Sequence, residues 1–163
     1  MPEPKKVKMK DKLDEAIAKA KAKNPACKLV RIFGLAIESD GNITLGQQGK
    51  FTPRWEYAFM DDKNGEAPAQ FLTVLYLAPK VPLVSDNAGN VGNKEPFKEE
   101  TIPMIADSSV LASVFNIQEG YKHLNGNDSD SVIYYVDHGS PVVVISNWNG
   151  QCLRLDPFTL NKK

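Results

Sequence analysis

Histidine and cysteine are scarce, with two of each in 163 residues. Cys27 and Cys152 lie far apart and no CxxC occurs, which removes thioredoxin-like and zinc-ribbon chemistry. His123 and His138 belong to no HExxH and no Cys/His cluster, so the ligand count of a structural zinc site is not met. Also missing are GxSxG, the phosphate-cradling GxxxxGK[ST] and a GxGxxG at the start of a helix. Hydrolase and nucleotide-binding readings therefore have no positive support. Long apolar runs are lacking too. The longest, 71–78 and 141–145, fall well short of the roughly 20 residues a membrane-spanning helix needs.

Net charge is zero, but it is unevenly placed. Residues 1–31 hold ten Lys/Arg against four Asp/Glu, and the rest of the chain carries the matching acidic excess. A basic leading segment on an acidic body suits nucleic acid or anionic lipid; it equally suits a solvated helix face attracted to the body behind it. The opening Met1-Pro2-Glu3-Pro4-Lys5-Lys6 has no apolar stretch behind its lysines and is not a secretory signal as it stands. A periplasmic location is expected if an export signal has been removed, and a cytoplasmic one otherwise. The cysteines leave the same choice open, as two reduced thiols or as a Cys27–Cys152 disulfide in an exported chain.

What is present is a repeated order of elements. Met9, Leu13, Ala16, Ile17 and Ala20 recur at helical spacing, so the pattern predicts an amphipathic helix from Met9 to Lys23 with Asp11 as its N-cap. Asn24-Pro25 ends it. A strand follows over 28–39, in which Gly34 marks a bulge or bend, and Asp40-Gly41 supplies a turn. Residues 42–53 are polar and Gly-rich and read most simply as a loop, with a short strand around Ile43–Leu45 as the alternative. Trp55, Tyr57 and Phe59 alternate with Arg54, Glu56 and Ala58, the clearest period-2 pattern in the chain. Residues 70–77 supply a further strand.

From Pro79 to Pro103 the composition turns to Pro, Gly, Asn and charge, which reads as a connector. Asp107 then N-caps a second helix built on Val110, Leu111, Val114, Phe115, Gln118, Tyr121 and Leu124. Three strands follow, 131–136, 141–147 and 151–156, joined at His138-Gly139 and Asn149-Gly150. The organisation is thus a flexible basic tail (1–8), a first helix-plus-meander unit (9–80), a connector (81–103) and a second unit (104–163). The fold class is α+β, two helix-plus-antiparallel-sheet units of about three strands each, packed together.

No catalytic constellation emerges from these residues. The turns 61–66 and 127–130 are rich in calcium-friendly oxygens, but neither has the spacing of an EF-hand loop. Trp55, Tyr57 and Trp148 are candidate partner-binding anchors, since aromatics are enriched at interface hot spots; core packing is the competing role for Trp55. No cofactor is implied.

The run from Ala16 through Lys28-Leu29-Val30, Gly34 and Trp55-x-Tyr57-x-Phe59 resembles a PepSY-like domain. The segment Leu153-Arg154-Leu155-Asp156-Pro157-Phe158-Thr159-Leu160 is similar to the closing Val-Asp-Ala-x-Thr-Gly strand of such domains. Pro157 replaces the small residue and Leu160 the glycine. The resemblance implies a non-enzymatic bacterial module outside the cytoplasm, related in shape to cystatins and protease propeptides, that binds proteins or peptides or inhibits proteases. Two alternatives stand beside it: a small enzyme with a pocket between the two units, and a nucleic-acid or anionic-lipid binder acting through the basic helix. A protein or peptide partner is the leading expectation.

Overall fold

The computed structural model describes residues 5–46, 52–61, 70–77, 83–87, 95–117, 130–147, 150 and 152–163. Mixed α+β architecture and a mostly antiparallel sheet follow from the elements. In chain order these are β1 (Lys5–Val7), α1 (Met9–Lys23), β2 (Lys28–Leu35), β3 (Ile43–Leu45), β4 (Arg54–Asp61), β5 (Gln70–Tyr76), β6 (Leu83–Asn87), a 3-10 helix (Glu99–Met104), α2 (Ser108–Ile117), β7 (Ser131–Asp137), β8 (Ser140–Ser146) and β9 (Cys152–Leu155). Seven strands form one sheet in the order β6-β5-β4-β2-β7-β8-β9, every neighbouring pair antiparallel. β1 and β3 make a separate two-stranded pair.

Alternation explains which face of the sheet is buried. Trp55, Tyr57 and Phe59 of β4 point to the same side as Val132 and Tyr134 of β7, Val143 and Ile145 of β8, and Leu153 and Leu155 of β9, all in one hydrophobic core. β2 joins this pattern only through a bulge. Leu29 pairs with Phe59 and Arg31 with Ala58, so Val30 is an extra residue. The insertion turns Arg31 outward and brings Ile32 and Gly34 to the core side. The bulge thus lies at Val30 and not at Gly34. At Gly34 a Cβ would stand 2.3 Å from the Trp55 ring, so the glycine is the space that ring occupies.

The helix α1 covers this face with Met9, Leu13, Ala16 and Ala20. Two buried donors fasten its start: Trp55 Nε1 donates to Val7 O at 3.0 Å and Tyr57 Oη to Met9 O at 2.5 Å. Asp11 is the third helical residue and not the cap. Its carboxylate accepts the Lys8 amide, and Lys8 holds the N-cap position. The starts of α1 and α2 meet, with Ser108 Oγ accepting the Met9 amide at 2.9 Å and Asp107 Oδ1 the Lys10 amide at 3.0 Å. Asp107 also accepts the Ser108 amide at 2.8 Å, so one carboxylate faces two positive helix ends.

Three segments differ from the sequence expectation. Lys5–Val7 is a strand whose Val7 lies in the core, where a flexible tail was expected. The connector contains β6 and the 3-10 helix. The strand expected over 28–39 stops at Leu35, because Ala36 turns into positive φ and its amide, with that of Ile37, is taken by the Asp130 carbonyl.

Candidate functional site

Three distant stretches of chain converge at the end of the β7–β8 hairpin. Residues 95–101 arrive beside β2, anchored by the buried Phe97, whose amide donates to Leu29 O at 2.8 Å. Glu95 reaches across to the hairpin turn and accepts the Gly139 amide at 2.6 Å. The turn after β9 brings Phe158 alongside. Its conformation is set by Asp156, whose carboxylate accepts the Phe158 and Thr159 amides at 2.8 and 2.9 Å. Burial opposes ionisation of Asp156, yet these amide bonds and Lys163 hold it below the usual carboxylate range.

These stretches enclose a groove of about 450 Å³. Pro96, Val136, Pro141 and Phe158 give it an apolar lining, and Glu95, Lys98 and Thr101 supply polar groups. Lys98 is exposed, while the Thr101 hydroxyl is turned back to Lys98 O at 2.6 Å. Lys163 Nζ bonds Pro141 O at 2.6 Å and fixes the strand beside the groove. The volume and the apolar lining with few polar groups are those of a site for a small ligand or a single large side chain. Two prolines and a capped hairpin keep it preformed.

The anchors expected from the sequence are elsewhere. Trp55 and Tyr57 are fully buried on the core face and offer no surface to a partner. Tyr57 meets Tyr76 edge-on at 5.8 Å, and burial, followed by the nearby Tyr76 and Asp107, pushes its hydroxyl well above the ordinary phenol range. Trp148 and His123 lie outside the described residues. His138 is exposed at the hairpin turn, with Nε2 3.5 Å from Asp137 Oδ1.

Cys27 and Cys152 are both free, Cys27 buried in the core and Cys152 exposed on the other face of the sheet. Cys27 precedes the first residue of β2, while Cys152 lies in register, through Ser146 and Ser131, with Leu35 at the far end of that strand, so the two are three strand spacings apart across the sheet and a whole strand length apart along it, roughly 25 Å or more. A disulfide needs Cα atoms within about 7 Å, so the fold does not bring this pair together. Of the acidic turns, Asp130 is buried and its carbonyl serves the chain after β2.

Three lysines of the basic segment are tied to the body. Lys6 Nζ lies 3.3 Å from Asp40 Oδ2, Lys10 Nζ bonds Pro103 O at 2.9 Å and Lys21 Nζ lies 3.1 Å from Glu99 Oε1. Such exposed contacts are individually weak, and they turn Lys6 and Lys21 toward the protein's own acids and Lys10 toward a backbone carbonyl. Among the described residues no group of three or more His, Cys, Asp or Glu is placed to hold a metal. No helix among them is long and apolar enough to cross a membrane.

Groove residues carry no sequence signal of their own. Pro96 sits in what reads as connector, Pro141 begins a strand, and Phe158 stands in the closing motif at a position where the PepSY-like pattern asks for nothing particular. Compared with known proteins, the chain matches no family model, no curated protein and no solved structure.

Proposed function

We propose that this is a non-enzymatic binding protein whose groove beside the β7–β8 hairpin takes an apolar side chain of a protein or peptide. The observation that carries the reading is the groove itself, about 450 Å³ lined by Pro96, Val136, Pro141 and Phe158, with Lys98 exposed at its edge. A preformed apolar slot loses little entropy on receiving a side chain, and nearby polar groups serve the peptide backbone. The capped tripeptide Gly-Leu-Gly binds saturably in calorimetry, and Gly-Ser-Gly does not. Phe158→Ala weakens the leucine peptide at least about fivefold, the loss of roughly 1 kcal/mol of apolar contact. Equal binding of the two peptides, or full binding by a folded Phe158→Ala protein, contradicts the reading.

The proposal extends to architecture, as two related PepSY-like units. What supports it is the order of strands outward from the centre, β2-β4-β5 on one side and β7-β8-β9 on the other, with β2 and β7 antiparallel and the starts of α1 and α2 in contact. Leu160 adopts a positive φ of 63° where the PepSY-like pattern has glycine. In this reading the units share a sheet through β2 and β7, and the segment joining them builds the groove.

A further inference from the structure

On the opposite side of the 3-10 helix from the groove lies a second recess, between that helix and α1. Its floor is Phe59, Leu29 and the Cys27 thiol, and its walls are Ile17, Ile102 and Pro103. Asp14, Ile17 and Lys21 follow one another at i, i+3 and i+7, so one face of α1 runs along the opening. The volume is about 180 Å³. An engineered apolar cavity of roughly 150 Å³ admits benzene, so this one holds about one ring with a short substituent.

The mouth is charged, and one of its charges is uncommitted. Lys21 Nζ is committed to Glu99 Oε1 at 3.1 Å and Cys27 O at 3.4 Å. Asp14, exposed at the other end of the opening, is engaged by no cation among the described residues. Lys10 Nζ, four residues before Asp14 on α1, is likewise committed, to Pro103 O at 2.9 Å, so a ligand seated on the floor meets two carboxylates and two ammoniums at the rim, of which Asp14 alone has no direct partner among the described residues. We infer that this recess is a second binding site, for a small aromatic or branched aliphatic molecule carrying a primary amine, its apolar body on Phe59 and Leu29 and its ammonium on Asp14.

The thiol on the floor does not convert this into a covalent site. Burial raises the Cys27 pKa despite the opposing pull of Lys21, so the sulfur stays protonated at neutral pH and serves as an apolar surface.

Benzylamine, benzyl alcohol and benzoate are the probes, titrated into the full chain and followed by amide shifts at Ile17, Cys27, Leu29 and Ile102. Benzylamine saturates these shifts, about threefold more tightly than the isosteric alcohol, the size of one exposed ion pair, and benzoate binds more weakly than either. Asp14→Asn, a surface change that leaves the fold intact, brings benzylamine down to the level of the alcohol and leaves the alcohol unchanged. Ile102→Trp, checked for retained thermal unfolding, fills the recess and removes both. The inference is overturned if alcohol and amine bind equally, if Asp14→Asn leaves the amine's advantage in place, or if the shifts never saturate. None of these outcomes depends on the peptide groove.

Discussion

Gly34 and Trp55 face each other across β2 and β4, and the indole ring lies where a Cβ on residue 34 would be. Both are needed because the ring must also turn its Nε1 to Val7 O to hold the chain entering α1. The contact has backbone on one side and an anchored ring on the other, so neither gives way cheaply. Gly34→Ala is expected to destabilise the fold by about 3 kcal/mol, the upper end for overpacking. Adding Trp55→Leu to Gly34→Ala recovers part of that loss, whereas Trp55→Leu alone destabilises by leaving a cavity. Chemical denaturation of the three variants checks the non-additivity, and simple additivity would show that ring and glycine do not compete for space. The sequence pointed to Gly34 as special and to Trp55 as core or anchor. It did not join them, because cross-strand register depends on the bulge at Val30, which no local pattern announces.

At the scale of elements, α1 was legible to its bounds because its apolar positions repeat at helical spacing and Asn24-Pro25 stops it. β4 was legible because it alternates, and β7, β8 and β9 because runs of β-favouring residues are separated by the turn dipeptides His138-Gly139 and Asn149-Gly150. β1 and β6 were not. Lys5–Val7 looks like a basic tail until Ile43–Leu45 is there to pair with it, and Leu83–Asn87 sits in Pro/Gly-rich sequence and becomes a strand by completing the edge of β5. The groove was hidden for the same reason, since Pro96, Pro141 and Phe158 come together only when three separate stretches are folded. Asp107, in contrast, was visible as a cap, although its service to α1 was not. Since it faces two helix starts, Asp107→Ala should cost about 2 kcal/mol, above the usual value of about 1 for a single N-cap. Asp107→Asn keeps acceptor geometry without the charge and should cost less. A thermal melt that finds Asp107→Ala no worse than an ordinary cap would show that only one helix depends on it.

The whole molecule is organised about β2, which pairs with β4 on one side and β7 on the other, so the core runs under both halves. Two tyrosines in that core tie its stability to pH. Burial, reinforced by nearby acids, raises the pKa of Tyr57 and Tyr134 well above the ordinary value of 10.0. The folded state keeps these protons while the unfolded chain releases them near pH 10, so their contribution is fully present below pH 10 and is lost as pH rises beyond it. Alkaline unfolding should coincide with a cooperative phenolate absorbance change. Tyr57→Phe, which also gives up its bond to Met9 O, should lower stability at neutral pH by about 1 kcal/mol and soften the alkaline decline. A gradual, non-cooperative titration of both tyrosines would contradict their burial.

Residues 95–101 pass beside β2 and meet the β7–β8 hairpin, and the proposed function rests on the groove they form there. The most direct test is amide-shift mapping of the ¹⁵N-labelled full chain during titration with the Gly-Leu-Gly peptide. The account predicts saturable shifts concentrated at Glu95, Lys98, Thr101, Val136, Gly139 and Phe158, while Ile17, Cys27 and Leu29 stay still. Shifts that fail to saturate, or that cluster away from the hairpin, would contradict it.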